Sequence, residues 1–159
     1  YAGGAGYIDL AYWIDMDRLA LKPYLGLGGR AWNRVLDADG FSPGKYGYEE
    51  TWLVFYGTLG AGASIGLGPG VSLGAKVELR LPLHNEERVD LSHLGGSSSI
   101  DLEPGKEVCW YGEVSLNFKF LTVAAFFETF DFSESDVSEG YMQPKSENRL
   151  YGVRLGLAF

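Results

Sequence analysis

A chain of 159 residues with 46% hydrophobic content suits one folded domain and excludes wholesale disorder. Its 13 basic and 21 acidic side chains leave a net charge of −8, which argues against a nucleic-acid partner, and its single cysteine excludes an internal disulfide. No Cys/His cluster has metal-ligand spacing, so neither metal nor cofactor is expected. No signal-peptide pattern stands at Tyr1, so a targeting segment is expected to be missing from these residues. The longest apolar run, Val123 to Phe127, is far short of the ~20 residues a membrane helix requires. A membrane β-barrel needs only alternating strands of ~9–11 residues, and 23 Gly with 14% aromatic residues fit that class.

The first predicted strand covers Gly6 to Asp15, with Ile8, Leu10, Tyr12 and Ile14 opposing Asp9, Ala11, Trp13 and Asp15. Leu21 to Ala31 follows, its Leu21, Leu25 and Leu27 opposing Lys22, Tyr24, Gly26, Gly28 and Arg30. From Leu53 to Leu67 the odd positions are apolar apart from Gly57, and Thr58, Gly60, Gly62, Ser64 and Gly66 lie between them. Val71 to Leu83 is the cleanest: seven apolar odd positions alternate with a set that begins Ser72, Gly74, Lys76, Glu78 and Arg80. At 46% hydrophobic content, seven in a row on one parity is roughly a 0.4% event. Val108 to Phe120 repeats the pattern on even positions, opposing Tyr111, Glu113, Ser115, Asn117 and Lys119. Leu121 to Thr129 is less regular, because Phe126 shares a face with Glu128. The last strand sets Tyr151, Val153, Leu155, Leu157 and Phe159 against Gly152, Arg154, Gly156 and Ala158. Seven strands and no helix result.

Connections alternate in length. Those at Met16–Arg18, Gly68–Gly70 and Lys119–Phe120 are tight, whereas 35–48, 85–106 and 132–148 read as long polar loops. The loops with their flanks (33–50, 84–107, 131–149) hold 6 basic and 15 acidic residues, so the acidity belongs to one end. Short turns at one end and long loops at the other predict an antiparallel up-and-down transmembrane β-barrel in the outer membrane, with apolar side chains facing lipid and polar ones filling the interior. Glycines on the polar face leave room inside. Trp13, Trp32, Trp52, Trp110, Tyr12, Tyr48, Tyr111 and Tyr151 lie towards strand ends, as interfacial girdles do. The alternative is a small soluble barrel with the faces reversed.

The C-terminus, Tyr151-Gly-Val-Arg-Leu-Gly-Leu-Ala-Phe159, resembles the terminal signature of bacterial outer-membrane β-barrels. At fold level the whole chain is similar to small eight-stranded barrels of the outer membrane protein A, opacity-protein or OmpW-like kind. The resemblance implies that Tyr151, Val153, Leu155, Leu157 and Phe159 form a signal read by the barrel-assembly machinery, and that outer-membrane lipid and lipopolysaccharide surround the protein. Such barrels have an even strand number. Seven strands therefore predict eight in the intact protein, with an N-terminal strand missing from this sequence; the alternatives are closure by another chain or membership of a larger barrel.

The candidate interior set is Asp9, Lys22, Arg30, Lys76, Glu78, Arg80, Glu113, Lys119, Glu128 and Arg154. Charges of both signs in a narrow space should pair, because an unpaired buried charge is very costly. Two functions remain open for this set: a gated ion path, or a sealed packed interior. Enzymatic chemistry on such a barrel would need a nucleophile beside a base, and His84, Asp90, Ser92 and His93 are the nearest approach to one, without a defensible motif. No catalytic residue is therefore assigned. Cys109 faces inward by parity. The acidic loops suit a partner-binding or adhesive role, since binding usually resides in loops on a rigid scaffold. A narrow channel is the alternative, and an outer-membrane lipid-modifying enzyme or protease the third.

Overall fold

The computed structural model describes residues 2–36, 48–91, 99–138 and 140–157. Seven long strands form one antiparallel sheet: β1 (Ala2–Ala11), β3 (Leu19–Leu36), β4 (Tyr48–Gly68), β5 (Val71–Asp90), β8 (Cys109–Phe118), β9 (Leu121–Ser133) and β10 (Ser146–Leu157), in the spatial order β1-β3-β4-β5-β8-β9-β10. Three short strands join them. β2 (Ile14–Met16) pairs with β3, β6 (Ser99–Leu102) with β5, and β7 (Gly105–Lys106) with β9. The expected seven strands are therefore the long ones, and the chain is all-β among the described residues.

The alternating sequence pattern fixes the register. Even positions of β3, β4, β9 and β10 share one face with odd positions of β1 and β8, as the pairs Asp9↔Gly26, Arg30↔Val54 and Tyr111↔Glu128 show. This face is the inner one. Arg30 on β3 reaches Glu128 on β9 at 2.9 Å, although three strands intervene in the sheet. In a flat sheet they would be about 19 Å apart at ~4.8 Å per strand. The sheet therefore curls until its two halves touch.

Closure stops one step short. β1 and β10 are both edge strands, and with seven strands antiparallel in turn they run parallel to each other. On the outer face, Ile8 and Leu10 of β1 are 81% and 74% exposed and Val153 and Leu155 of β10 are each 72% exposed, against 58% for Leu59 and 50% for Val77 in the sheet interior. The difference is the cover a neighbouring strand would give. Across the seam, Arg154 faces the hydroxyl of Tyr7.

Three tight connections gather at one end. Asp17 (φ 50°) turns β2 into β3, Gly70 (φ 72°) turns β4 into β5, and Lys119 (φ 45°) turns β8 into β9. Two backbone bonds tie these turns together: Gly66 N–H donates to Arg18 O at 2.8 Å, and Lys119 N–H to Gly70 O at 2.8 Å. Lys119 thus leaves the interior set. A two-residue hairpin loop needs positive φ to match strand twist, so the ladder ends at Phe118 and Lys119 sits exposed in the turn.

At the other end the strands outrun the sequence pattern. β5 continues to Asp90 and pairs with β6, within the stretch expected to be loop. A bulge permits this: Phe55 pairs with His84 but Tyr56 with Pro82, leaving Leu83 as the extra residue. The bulge exchanges the faces of β5. Glu78, Arg80 and Pro82 point inward before it, and Asn85 and Glu87 after it. Asn85 then donates to Pro104 O and Gly105 O, both at 3.3 Å, clamping the returning segment.

Candidate functional site

The inner face carries two layers. Nearer the turns lies an ion-pair network. Glu78 on β5 takes Lys76 at 2.9 Å, Arg80 at 3.1 Å and the Tyr24 hydroxyl at 3.0 Å. Arg80 also contacts Glu128, which accepts from Arg30 as well. Arg154 pairs with Glu113 at 2.6 Å, and the Tyr111 hydroxyl donates to the same carboxylate at 2.5 Å. The cations also lie over aromatic faces: Arg80 is 4.7 Å from the Tyr111 ring centre and Arg30 is 4.9 Å from that of Phe130. Glu78, Glu113 and Glu128 each accept from at least one cation, which is how their charge survives burial.

Nine of the ten predicted interior residues therefore lie on the inner face, seven of them in this network. Lys22 stands apart, its ammonium 5.2 Å from the Trp13 ring centre. Asp9 packs where a side chain at position 26 would stand, so Gly26 makes room for it. Other glycines make room for rings. Tyr24 lies on Gly60 and Tyr56 on Gly28, and any Cβ at either glycine would collide with the ring.

Farther from the turns is an aromatic layer. Trp52, Val54, Tyr56, Phe130 and Phe132 form the buried core, with Trp32 packed on it. Trp32 and Trp52 stack at 5.3 Å with their planes 7° apart. This corrects the girdle expectation: Trp32, Trp52 and Tyr111 are interior, because their parity places them on the inner face near the strand ends. Trp13 shares the inner face with Lys22, which stands beside its ring, whereas Tyr12, Trp110 and Tyr151 do face outward and are exposed. Phe126, which looked like a lapse in alternation, lies on Gly152 and stacks with Tyr111 at 5.9 Å.

No protein-family model and no curated protein matches this sequence. Its chemistry rests on its own residues. Beyond the aromatic layer, Arg34 and the Trp52 indole N–H both bind Glu50, the latter at 3.1 Å. Beside them Glu87 is 0% exposed, and neither of its oxygens finds a donor among the described residues. Burial, reinforced by the Glu50 carboxylate and only partly opposed by Arg34, pushes the Glu87 carboxyl up from 4.5 to about 7. Burial and then Glu50 also raise the Tyr48 hydroxyl. Parity continued past Leu53 would have revealed Trp52 and Glu50. Glu87 had no such signal, because the bulge at Leu83 reverses its face.

The remaining candidates separate. His84 points outward, 3.5 Å from Glu86. Asp90 is six residues farther along the same strand, about 20 Å away at ~3.4 Å per residue, so the two do not meet. Ser92, His93 and Phe159 lie outside the described residues. Tyr151, Val153, Leu155 and Leu157 line the outer face of β10. Cys109 is buried and unoxidised, its sulfur accepting from Asp131 N–H at 3.4 Å.

Proposed function

We propose that this chain is an integral outer-membrane β-barrel with a sealed interior, serving a structural role and binding a partner at its loop end. The observation that carries this reading is the inversion of faces. Side chains such as Leu25, Leu59, Val77, Val114 and Leu155 are exposed on the outer face, while Glu78, Arg80, Glu113 and Glu128 are buried within. In water this arrangement would leave a large apolar surface solvated and charges desolvated. In a bilayer both are satisfied.

The height of the apolar surface supports it. On β5 the apolar outward run spans Val71 to Leu83, about 41 Å of strand, or roughly 29 Å across a sheet tilted by ~45°. Immediately beyond come His84, Glu86 and Arg88; on β4 the apolar run continues through Phe55 and Leu53, beside His84 and Glu86, and ends at Thr51, beside Arg88, with Asn33 beside Thr51 on β3. On β9 and β10 the outward positions become polar at Thr129 and Arg149, which pair with each other.

Closure requires one more strand, antiparallel to both β1 and β10. A cavity of about 600 Å³ beside Gly3, Ala5, Trp32, Phe130 and Asn148 gives its side chains room. The aromatic layer favours a sealed interior over a channel. In planar bilayers the purified protein should give no conductance above baseline while resisting alkaline extraction from vesicles. Steady openings altered by Arg80→Ala would instead establish the channel, and loss from vesicles on alkaline extraction would overturn the membrane assignment.

A further inference from the structure

The loop end contains a cleft of about 330 Å³ between the sheet and the segment that follows β9. Tyr48, Glu50, Glu87, Ile100, Leu102 and Tyr141 line it. Its outer wall is a defined turn: Ser138 and Tyr141 exchange backbone bonds of 2.8 Å, and Ser135 N–H and Oγ bond Gln143 O and N–H at 3.0 and 2.9 Å. We propose that this cleft binds a protonated primary amine on an unbranched alkyl stem, with Glu87 as the counter-ion.

Charge, shape and lining agree on that class. Glu50 already holds Arg34 and the Trp52 indole, so Glu87 is the surplus carboxylate and calls for one positive charge. The groups facing it are Glu50 and Tyr48 of β4, Arg34 of β3 and Tyr141 of the turn, whereas β6 presents Ile100 and Leu102. A hard cation fits poorly. Calcium takes 6–8 oxygen ligands, and no cluster of three His, Cys, Asp or Glu side chains suited to a metal occurs among the described residues. An alkylammonium needs one or two carboxylate oxygens for its head, aromatic faces beside it and apolar wall for its stem. At acid pH the protonated Glu87 donates to Glu50. Amine binding displaces that proton, so the site strengthens as pH rises.

The inference does not depend on the membrane reading, because the cleft lies beyond the apolar outer face. The amine has two possible sources, a free alkylamine or a lysine side chain, and they are separable. Isothermal titration of the full chain in detergent micelles would use n-butylamine and Nα-acetyl-lysine methylamide, both fully charged throughout. We expect saturable one-to-one binding of at least one probe at pH 8.5, weakened about 30-fold at pH 5.5 by protonation of a carboxyl at about 7. Glu87→Gln should weaken it by about 10-fold or more and remove the pH dependence. Butylamine alone binding assigns a free amine, and the lysine derivative binding as well or alone admits a side chain. No saturable binding of either probe, unchanged affinity in Glu87→Gln, or equal affinity at the two pH values overturns the proposal. The pH comparison on the unmodified chain stands even where Glu87→Gln fails to fold.

Discussion

The two ends of the inner face solve one problem in opposite ways. Towards the turns, Glu78, Glu113 and Glu128 are buried with Lys76, Arg80, Arg154 and Arg30 as partners. Towards the loops, Glu87 is more deeply buried, and among the described residues no donor bonds its carboxylate, the nearby Arg34 being held by Glu50. Between them stands the aromatic layer of Trp32, Trp52, Phe130 and Phe132. A satisfied network rigidifies and is silent, whereas an unsatisfied group stores free energy that a ligand or a proton can release. The contrast separates scaffold from site.

Breaking the satisfied layer should give the largest effect. Glu128→Ala removes the carboxylate shared by Arg30 and Arg80 and should cost about 3–5 kcal/mol in a urea-unfolding titration. An effect under about 1 kcal/mol would mean that water reaches the network. Next comes the outer face. Val77→Arg should cost about 2–4 kcal/mol in lipid vesicles, because an arginine near the bilayer midplane must leave water. A neutral result would place that face in water.

The unsatisfied end should show itself through pH. A carboxyl raised to about 7 from 4.5 stabilises the fold fully below its unfolded value, and that contribution is lost as pH rises to the folded value. Stability should therefore fall by up to about 3 kcal/mol between pH 4.5 and just above 7, as one group's contribution. Glu87→Gln should flatten this part of the curve, and an unchanged slope would show that another group titrates. The smallest effect belongs to the exposed pair outside the same wall. Arg88 and Asp101 meet at 2.7 Å in full solvent, so Arg88→Ala should leave the unfolding midpoint unchanged.

Strand number, orientation and the placement of short turns were legible because period-two alternation is a property of single residues. Lys76, Glu78 and Arg80 could be assigned to one face from Val71 to Leu83 alone. What escaped depended on pairing. The bulge at Leu83 exists only because β4 and β5 fall out of step there, and it moved Glu87 inward. Lys119 kept the right parity but was claimed by turn geometry. Trp52 and Phe132 read as girdle and loop because large apolar residues on an otherwise polar face have no local signature; they find each other only when the sheet curls. The short Ser99–Leu102 strand was lost in its polar surroundings, although Ile100 and Leu102 already alternate with Asp101.

The central claim is that the outer face meets lipid. Single cysteines placed at successive positions from Val71 to Leu83 in a Cys109→Ser background, labelled with a fluorophore and reconstituted into vesicles of brominated lipid, test it position by position. The account predicts period-two quenching, strong at 73, 77, 79 and 81 and weak at 74, 76, 78 and 80. Uniform weak quenching, with odd positions open to a water-soluble thiol reagent, would contradict it.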